Sequence, residues 1–320
     1  MPATDTDLSF IIVNWNTCSL LLNCLRSIQQ TIAGYTYEVI VVDNGSTDAS
    51  VKEVKKQFGS QVIVIENSEN QGFARANNQA LRIAQGRFMV LLNSDVILKE
   101  GCINALISFL SATPSAAIAG PRMLNGDGTL QNSYDNFPTL MTELLNKSLL
   151  RALFPSKYSG KNPSATSPFE VDSLIGACMA IRGEAIQQAG LLDEDYFFFL
   201  EETDWCFRMR KAGWQIFHCP QAEVIHLQGQ SKRRSPARAR VEYYRSLYTF
   251  FKKNRSPASY AAVRLFRFLK LAINLISTVL ALGLTAGTQR KLREKTLTYA
   301  YLLWWHLMLC PDSWGLRQAP

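Results

Sequence analysis

An alternation of short apolar runs and helix-like segments over the first 112 residues most constrains how this chain can fold. Four runs have the length and composition of buried strands, and they lie at residues 8–14, 37–43, 61–65 and 87–95. Between them, apolar residues recur every three or four positions, which is the period of an amphipathic helix. Strands that alternate with helices predict an α/β fold with a mostly parallel sheet.

The composition is that of a folded chain with reduced thiols. Apolar residues make up 47% of the 320 residues and charged residues 19%, so a sizeable core is expected. The seven cysteines are an odd number and include no C-x-x-C pair, which favours free thiols over a disulfide framework or a zinc site. The polar start MPATDTDLSF lacks the apolar stretch of a secretory signal. We therefore expect a cytoplasmic protein.

Two of the predicted strands end in acidic residues, Asp43 in VIVVDNGSTDAS and Asp95 in VLLNSDV. Ligands of open α/β sheets bind beyond the carboxyl ends of the strands, although each acid alone could equally belong to a turn or a helix cap. The glycine patterns of nicotinamide and P-loop sites do not occur after any predicted strand. An acidic strand end instead suits a divalent ion that holds a diphosphate.

A second acidic cluster, formed by Glu201, Glu202 and Asp204, follows the aromatic run YFFFL and opens a helical stretch. A helix N-terminus favours anionic side chains, so ordinary capping would account for one or two of them. Carboxylates that emerge from an apolar segment are also candidate general bases, because partial desolvation raises their pKa. His226 in AEVIHLQGQS is either a structural histidine or a metal ligand near a strand end.

These segments resemble the family 2 inverting nucleotide-sugar glycosyltransferases, in the rhamnosyltransferase-like branch. The matching stretches are IIVNWN, VIVVDNGSTD, ENQGFARANN, VLLNSDV, GPRMLNGDGTLQ, IGACMAIRGEA, GLLDEDYFFFLEETDWCFRMRKAGW and AEVIHLQGQS, in order over residues 8–250. The resemblance implies a glycosyltransferase A-type fold with one Rossmann-like sheet. It divides the catalytic domain into a nucleotide-sugar half, residues 1–112, and an acceptor half, residues 113–250.

The resemblance also implies a role for individual residues. Contacts with the nucleotide sugar fall on Val13, Asn14, Asp43, Asn44, Asn70, Gly72, Phe73, Asn77 and Asn93. The acidic metal triplet of the family falls on Asn-Ser-Asp, so Asp95 is expected to hold Mg²⁺ or Mn²⁺ with help from His226, while Asn93 meets a ribose hydroxyl. The catalytic acidic pair falls on Glu201 and Glu202, with Asp204 close behind, and Glu202 takes the place of the general base.

The implied reaction moves rhamnose or a similar hexose from a dTDP- or UDP-sugar to a hydroxyl of a polyprenyl-linked or other cell-envelope glycan, with inversion. Two alternatives remain open. A nucleotidyltransferase also places acids at strand ends but releases pyrophosphate from a nucleoside triphosphate. A non-catalytic sugar-nucleotide binding module at the membrane would bind the donor without turnover.

The C-terminal quarter is the basic part of the chain. Residues 230–295 carry 16 Lys and Arg against 2 Asp and Glu, whereas the remainder carries 18 against 24. Such a segment suits an anionic membrane, and no nucleic-acid-binding motif occurs in the chain. We expect residues 251–320 to be a helical, membrane-associating tail, bound peripherally at the inner face of the cell membrane.

The uncharged stretch 271–289 is close to the length of about 20 residues that spans a bilayer. Its polar residues Asn274, Ser277, Thr278 and Thr285 share one helical face, which favours a helix lying in the interface. A tail packed on the catalytic domain is the remaining reading.

Further features of the tail fit a membrane surface. Arg264, Arg267 and Lys270 recur every three residues and would lie close together on one side of a helix. The sequence also offers aromatic residues of the kind that concentrate at membrane interfaces, namely Tyr299, Tyr301, Trp304 and Trp305.

Overall fold

The computed structural model describes residues 6–155, 158, 162–227, 236–286 and 288–318, except for the side chains of Lys147 and Gln318. The chain divides into two compact units. The first comprises residues 1–137, 153–194 and 201–228. The second, called the helical unit below, comprises residues 138–152, 195–200 and 229–320.

The described residues form eleven strands and eleven α-helices. The strands are β1 (Leu8–Asn14), β2 (Tyr37–Asp43), β3 (Ile63–Glu66), β4 (Phe88–Asn93), β5 (Val96–Leu98), β6 (Ala116–Leu124), β7 (Tyr134–Asp135), β8 (Phe169–Glu170), β9 (Ser173–Leu174), β10 (Cys178–Arg182) and β11 (Gln215–His226). The helices are α1 (Cys18–Thr31), α2 (Ser50–Phe58), α3 (Phe73–Leu81), α4 (Cys102–Ala112), α5 (Leu140–Leu144), α6 (Lys147–Leu153), α7 (Gly183–Ala189), α8 (Glu201–Lys211), α9 (Pro236–Asn254), α10 (Pro257–Leu284) and α11 (Arg290–Leu307).

The main sheet has the strand order β3-β2-β1-β4-β10-β6-β11-β5, with β8 paired to β11. The first four strands in this order are parallel, and β10 runs antiparallel to both of its neighbours. The predicted α/β fold with a mostly parallel sheet is confirmed, and the four expected strands lie within a few residues of the predicted positions.

Helices cover both faces of this sheet, which explains why the strands are almost continuously apolar. Phe10 and Ile12 of β1 pack with residues of α1, α2 and α4. Ile11, which points to the opposite face, packs with residues of α3, α7 and α8. Strand β1 therefore buries both of its faces, and Asn14 lies at its carboxyl end.

The register of the parallel strands brings three of those ends to one edge. Asn14 at the end of β1 pairs with Asp43 at the end of β2, and Val13 pairs with Asn93 at the end of β4. The sheet therefore places the first predicted nucleotide-sugar residues side by side.

The helical unit contains α9, α10 and α11, as expected for a helical C-terminal region. Phe250 and Trp305 are fully buried in it. Of the helices in the described residues, only α10 is long and apolar enough, by length and composition, to cross a membrane, and little of it is buried.

The exposed face of α10 is apolar rather than basic. A continuous stripe of exposed side chains runs along it through Leu265, Leu269, Ile273, Ile276, Leu280 and Leu284. Arg264 instead donates to the Tyr260 hydroxyl (3.1 Å), and Arg267 pairs with the buried Glu143. Two of the three basic residues expected to face lipid are thus engaged within the unit, because Arg264 contacts Tyr260 of its own helix and Cys310 Sγ (3.5 Å), and Arg267 contacts Glu143 of α5.

The aromatic residues of α11 are also divided. Trp304 is 55% exposed, as expected of an interfacial residue. Trp305, by contrast, is fully buried, and its ring stacks on Tyr248 with 6.2 Å between ring centres. The expectation that Trp305 is interfacial is wrong, because this face of α11 forms the core of the helical unit.

Candidate active site

Hydrogen bonds join the ends of β1, β2 and β4. The amide of the buried Asn14 donates to Asp43 Oδ1 (2.9 Å) and to Ser46 Oγ (3.1 Å). Its carbonyl oxygen accepts from Thr17 Oγ1 (2.7 Å), which lies 2.8 Å from Ser94 Oγ. This network holds the predicted nucleotide-binding residues in fixed positions before any ligand binds.

The Asp43 carboxylate is 3% exposed and is oriented through both of its oxygens. Oδ1 accepts from Asn14, and Oδ2 accepts from the backbone N–H of Ser46 (2.9 Å). Because a carboxylate oxygen accepts more than one hydrogen bond, Asp43 retains acceptor capacity for an N–H group of a nucleobase.

Gly45 makes the tight turn after β2 possible. Its φ is +76°, which is unfavourable for residues with a Cβ. A Cβ built at this position would also lie 2.8 Å from the Cα of Glu69. The turn after β2 can therefore approach the loop after β3 closely only because residue 45 is glycine.

Asn44 holds the loop between β3 and α3. Its side-chain N–H groups donate to Asn70 Oδ1 (2.9 Å) and to the carbonyl of Gly72 (3.2 Å), while Oδ1 accepts from the Gln71 N–H (2.9 Å). In α3, the Asn77 side chain donates to the Phe73 carbonyl (2.9 Å). The structure thus brings the predicted loop residues to the end of β2, and hydrogen bonds of the Asn44, Asn70 and Asn77 side chains shape the loop.

Asp95 and His226 meet at the other predicted part of the site, although 130 residues separate them in the chain. The distance from His226 Nε2 to Asp95 Oδ1 is 3.3 Å. Pairing of β5 with β11 and a hydrogen bond from Leu227 N–H to the Asp95 carbonyl (3.0 Å) fix this proximity. Residues 228–235, which include the glycine-containing turn after His226, lie outside the described residues.

Gln131 orients the His226 ring. Its side-chain NH₂ donates to the carbonyls of Leu124 (3.2 Å) and His226, which turns Oε1 towards His226 Nδ1 at 3.1 Å. With Oε1 in this position Nδ1 is the donor of that pair, and Nε2 points at Asp95 Oδ1. A carboxylate oxygen and an imidazole nitrogen, both of them ligand types of divalent metal ions, thus lie 3.3 Å apart.

The chemistry of this pair fits a divalent ion. Among the described residues there is no group of three or more His, Cys, Asp and Glu side chains that could hold a metal. Mg²⁺ and related ions, however, are commonly held by only one or two protein ligands together with water and substrate phosphates. Asp95 and His226 supply one carboxylate and one imidazole, and Asn93 offers only an amide oxygen.

The carboxylates on the first turn of α8 differ in their surroundings. Asp204 is buried, and its Oδ2 accepts from Arg208 Nε at 2.7 Å. Arg208 also donates to the backbone carbonyls of Ala189, the last residue of α7, and of Leu191. Glu202, on the same turn as Asp204, is only partly buried.

Gly176 connects Glu202 with the end of β4. A Cβ at Gly176 would lie 3.4 Å from Cβ and Cγ of Glu202, so the carboxylate side chain runs along this glycine. The next residue, Ala177, accepts a hydrogen bond from the Asn93 N–H (2.9 Å). Because Gly176 and Ala177 are neighbours in the chain, Glu202 lies near the 93–95 segment. The sequence predicted these residues as parts of one site but did not predict this contact.

Sequence reasoning did not single out Gln131 or Gly176. Both lie in stretches that carried the family resemblance, Gln131 at the end of GPRMLNGDGTLQ and Gly176 in IGACMAIRGEA. Their place in these stretches was the one feature of the sequence that could have drawn attention to them. Neither residue type indicates catalysis by itself, and their partners become visible only in three dimensions.

Comparison with known proteins places this geometry in a family context. Residues 9–190 match the sequence model of "Glycosyl transferase family 2". The chain is 30% identical over 240 residues to an N-acetylglucosaminyl-diphospho-decaprenol L-rhamnosyltransferase of Mycobacterium tuberculosis, covering 68% of this chain and 75% of that protein. It is 28% identical to the low-salt glycan biosynthesis hexosyltransferase Agl10 of Haloferax volcanii, covering 69% of this chain and 67% of that protein.

A solved structure with a similar fold is the mannosyltransferase PcManGT from Pyrobaculum calidifontis in complex with GDP-Man and Mn²⁺. It superposes with a TM-score of 0.56 at 17% sequence identity, covering 94% of this chain and 86% of that one. The similarity confirms the predicted glycosyltransferase A-type fold.

Proposed function

Because the chain belongs to glycosyl transferase family 2, we propose that it is an inverting enzyme that transfers rhamnose or a similar hexose to a hydroxyl of a lipid-linked or cell-envelope glycan. That the chain is a glycosyltransferase follows from the family match and from its relatives. The proposal adds the donor, the acceptor, the stereochemistry and the residues. The Asp95–His226 pair, at 3.3 Å and oriented by Gln131, is the observation that carries it.

In this proposal residues 1–112 bind a dTDP- or UDP-sugar, residues 113–250 receive the acceptor and residues 251–320 associate with the membrane. Asp43 accepts a hydrogen bond from the nucleobase, and Asn14 keeps Asp43 in place. Val13, Asn93 and the loop containing Asn70 surround the ribose and the donor. The name of the mycobacterial relative supports both a rhamnosyl donor and a polyprenyl diphosphate-linked acceptor.

Asp95 and His226 would hold Mg²⁺ or Mn²⁺. When bound, the ion neutralises the diphosphate that leaves during transfer. Gln131 orients the His226 ring so that Nε2 points at Asp95 and the ion site. The complex of the Pyrobaculum enzyme with Mn²⁺ supports a divalent ion as cofactor.

Glu202 is the general base of the proposed reaction. It takes the proton of the acceptor hydroxyl while the hydroxyl oxygen attacks the anomeric carbon from the side opposite the diphosphate. A single displacement of this kind inverts the anomeric configuration and needs no covalent intermediate. Glu201 and Asp204 stabilise the first turn of α8, because negative charges interact favourably with the N-terminal end of a helix.

A thermal-shift panel tests donor binding. The protein is heated with dTDP-rhamnose, UDP-sugars or GDP-sugars, each with and without Mn²⁺ or Mg²⁺. A donor at 100 times its dissociation constant should add about 2.7 kcal/mol to the free energy of unfolding. Stabilisation by a dTDP- or UDP-sugar that depends on the ion supports the proposal.

The panel also separates the competing functions. Stabilisation by nucleoside triphosphates alone, followed by release of pyrophosphate, would indicate a nucleotidyltransferase. Donor binding without turnover on any glycan acceptor would indicate a binding module.

The helical unit offers a surface that suits an anionic membrane. The apolar stripe of α10 is joined by the exposed Met141, Leu145 and Leu149 in and beside α5 and α6, which belong to the same unit. Lys270 and basic residues of α11, in the same unit, are also exposed. Peripheral association of this surface with the inner face of the cell membrane would bring the enzyme to a lipid-linked acceptor.

A further inference from the structure

Residues 195–200, called the approach segment here, lead directly into α8 and its carboxylates. The segment belongs to the helical unit, and that unit binds its backbone. The carbonyl of Phe198 accepts from Ser246 Oγ (2.9 Å), and the carbonyl of Asp195 accepts from Arg317 Nη2 (2.8 Å). Two hydrogen bonds from the C-terminal region therefore fix two peptide groups of the segment.

Side chains of the approach segment are held as well. Lys253 Nζ lies 2.5 Å from Asp195 Oδ2, and this ammonium lowers the pKa of the Asp195 carboxyl. Arg317 lies over the ring of Phe197, 5.9 Å from its centre. The ring of Phe199 meets that of Tyr243 edge to face at 5.9 Å. Contacts thus come from both α9 and the extreme C-terminal region.

The position of Arg317 is set by hydrogen bonds between α9 and the residues that precede Arg317. Glu242 of α9 is fully buried, and its Oε2 accepts from Arg245 Nη1 (2.7 Å) and from the backbone N–H of Leu316 (3.0 Å). Arg245 in turn donates to the carbonyl of Asp312 (2.8 Å). The C-terminal residues are therefore anchored to α9, and Arg317 reaches the approach segment from an anchored backbone.

The residue before the approach segment is held differently. Glu194 accepts hydrogen bonds from Asn78 (2.9 Å), Arg82 (2.9 Å) and Arg75 (3.2 Å), all within the first unit. Glu194 is thus bound by residues of the first unit, whereas the next residue, Asp195, is bound by residues of the helical unit. Residues 195–200 thus make the contacts described above with the helical unit.

The last two residues of the approach segment adopt an unfavourable backbone conformation. Phe199 has φ +74° and Leu200 φ +63°, in the left-handed region that residues with a Cβ rarely occupy. Such residues persist only where surrounding contacts determine their conformation, and they concentrate at functional sites. Glu201 follows at once as the first residue of α8.

We propose that the helical unit is a positioning device for catalysis: Ser246, Lys253 and Arg317 hold the approach segment and thereby fix the first turn of α8, which carries Glu202. The C-terminal helices then have a second role besides meeting a membrane. Only the last step, the link to catalysis, rests on the proposed function.

Amide hydrogen exchange tests the structural half without any substrate. The amides of Trp205 and Cys206 are the first that donate within α8, so their exchange reports opening of its first turn. Arg317→Ala and Lys253→Met, which alter exposed side chains, should speed this exchange about two- to tenfold in the full chain. Arg290→Ala removes an equally exposed arginine of α11 and should leave it unchanged. Unchanged exchange in both test variants would overturn the proposal.

Steady-state kinetics with the donor identified by the panel tests the catalytic half. Arg317→Ala should lower kcat while leaving the donor KM unchanged, and Arg317→Lys should restore part of the rate. Faster exchange combined with an unchanged kcat would also overturn the proposal. A wild-type protein that turns over no nucleotide sugar would refute the proposed function instead, and the exchange result would still decide the positioning role.

Discussion

At the scale of single residues, the site depends on groups that orient other groups. Asn14 orients Asp43, Gln131 orients His226 and Arg208 engages Asp204. We therefore expect different effects from replacing the two members of a pair. They should appear in different measurements: ion affinity, turnover or stability.

Gln131→Leu should weaken Mn²⁺ binding by about 10- to 100-fold, the usual effect of removing the hydrogen-bond partner of a ligating histidine. Without Oε1, the Nδ1 proton of His226 loses its acceptor and the ring is free to turn or change tautomer. Calorimetric titration of Mn²⁺ in the presence of the nucleoside diphosphate measures the effect. Gln30→Leu, on the exposed side of α1, is the control. Equal affinity in both variants would show that Gln131 has no part in the ion site.

Asp95→Ala should abolish turnover and remove the dependence of donor binding on the ion, because the ion site loses its one carboxylate. Thermal shifts with donor, with and without Mn²⁺, report this directly. Near wild-type activity with an unchanged metal requirement would show that the ion binds elsewhere.

Glu202→Gln should lower kcat by roughly 10²–10⁴, the scale expected for loss of a general base, with little change in donor affinity. Asp204→Asn should act through stability instead. It breaks the buried pairing with Arg208, which typically costs about 3–5 kcal/mol. Stopped-assay kinetics and denaturant unfolding of the two variants separate these effects. A larger loss of kcat in Asp204→Asn than in Glu202→Gln at equal folded fraction would assign the base to Asp204.

At the scale of elements, the sequence was informative where local pattern decides structure. The strands ending at Asn14 and Asp43 were predictable because burial on both faces makes them apolar throughout and leaves polar residues at their ends. The orientation of α10 was not predictable. Arg264 and Arg267 look like surface charges in the sequence, and only their tertiary partners, Cys310 and the buried Glu143, turn them inward.

Gln131 and the approach segment illustrate the same limit for the site. A glutamine after a glycine-rich turn carries no chemical signal until β11 brings His226 to it. Similarly, the aromatic run YFFFL was recognised as an apolar stretch next to the acids. Its contact with Arg317, over 100 residues later, depends on how residues 312–316 pack against α9.

Membrane binding should depend on the exposed face of α10. Replacing Ile273 and Ile276 by Asp places two charges in the apolar stripe without disturbing the packed face. Co-sedimentation with vesicles containing anionic lipid should fall strongly, since apolar burial and attraction to the lipid charge are both reduced. Ile83→Asp, at an exposed position of the first unit, is the control. Undiminished vesicle binding by the double variant would refute this surface as the membrane contact.

At the scale of the whole molecule, acid stability should reflect a buried neutral histidine. Burial, with the nearby Arg122 charge, lowers the pKa of His218 from 6.5 to about 4. Between pH 6.5 and about 4, His218 binds a proton in the unfolded chain but not in the folded chain. The contribution of His218 to stability is therefore complete above pH 6.5 and is lost as the pH falls towards 4, by on the order of 3 kcal/mol.

Urea unfolding of the wild type and of His218→Phe tests this expectation. The phenyl ring would remain among Tyr134 and Phe169, which already pack against the imidazole. The variant should lose less stability than the wild type between pH 7 and pH 4.5. Equal losses would show that His218 does not titrate as its burial predicts.

The most direct test of the proposed reaction is the anomeric configuration of its product. The full chain is incubated with Mn²⁺, the donor selected by the thermal panel and a prenyl diphosphate-linked N-acetylglucosamine, and the glycosidic bond formed is assigned by NMR. Attack by a hydroxyl activated at Glu202 on the face opposite the diphosphate predicts acceptor-dependent release of nucleoside diphosphate and an inverted anomeric centre. A product with retained configuration would contradict the single-displacement mechanism.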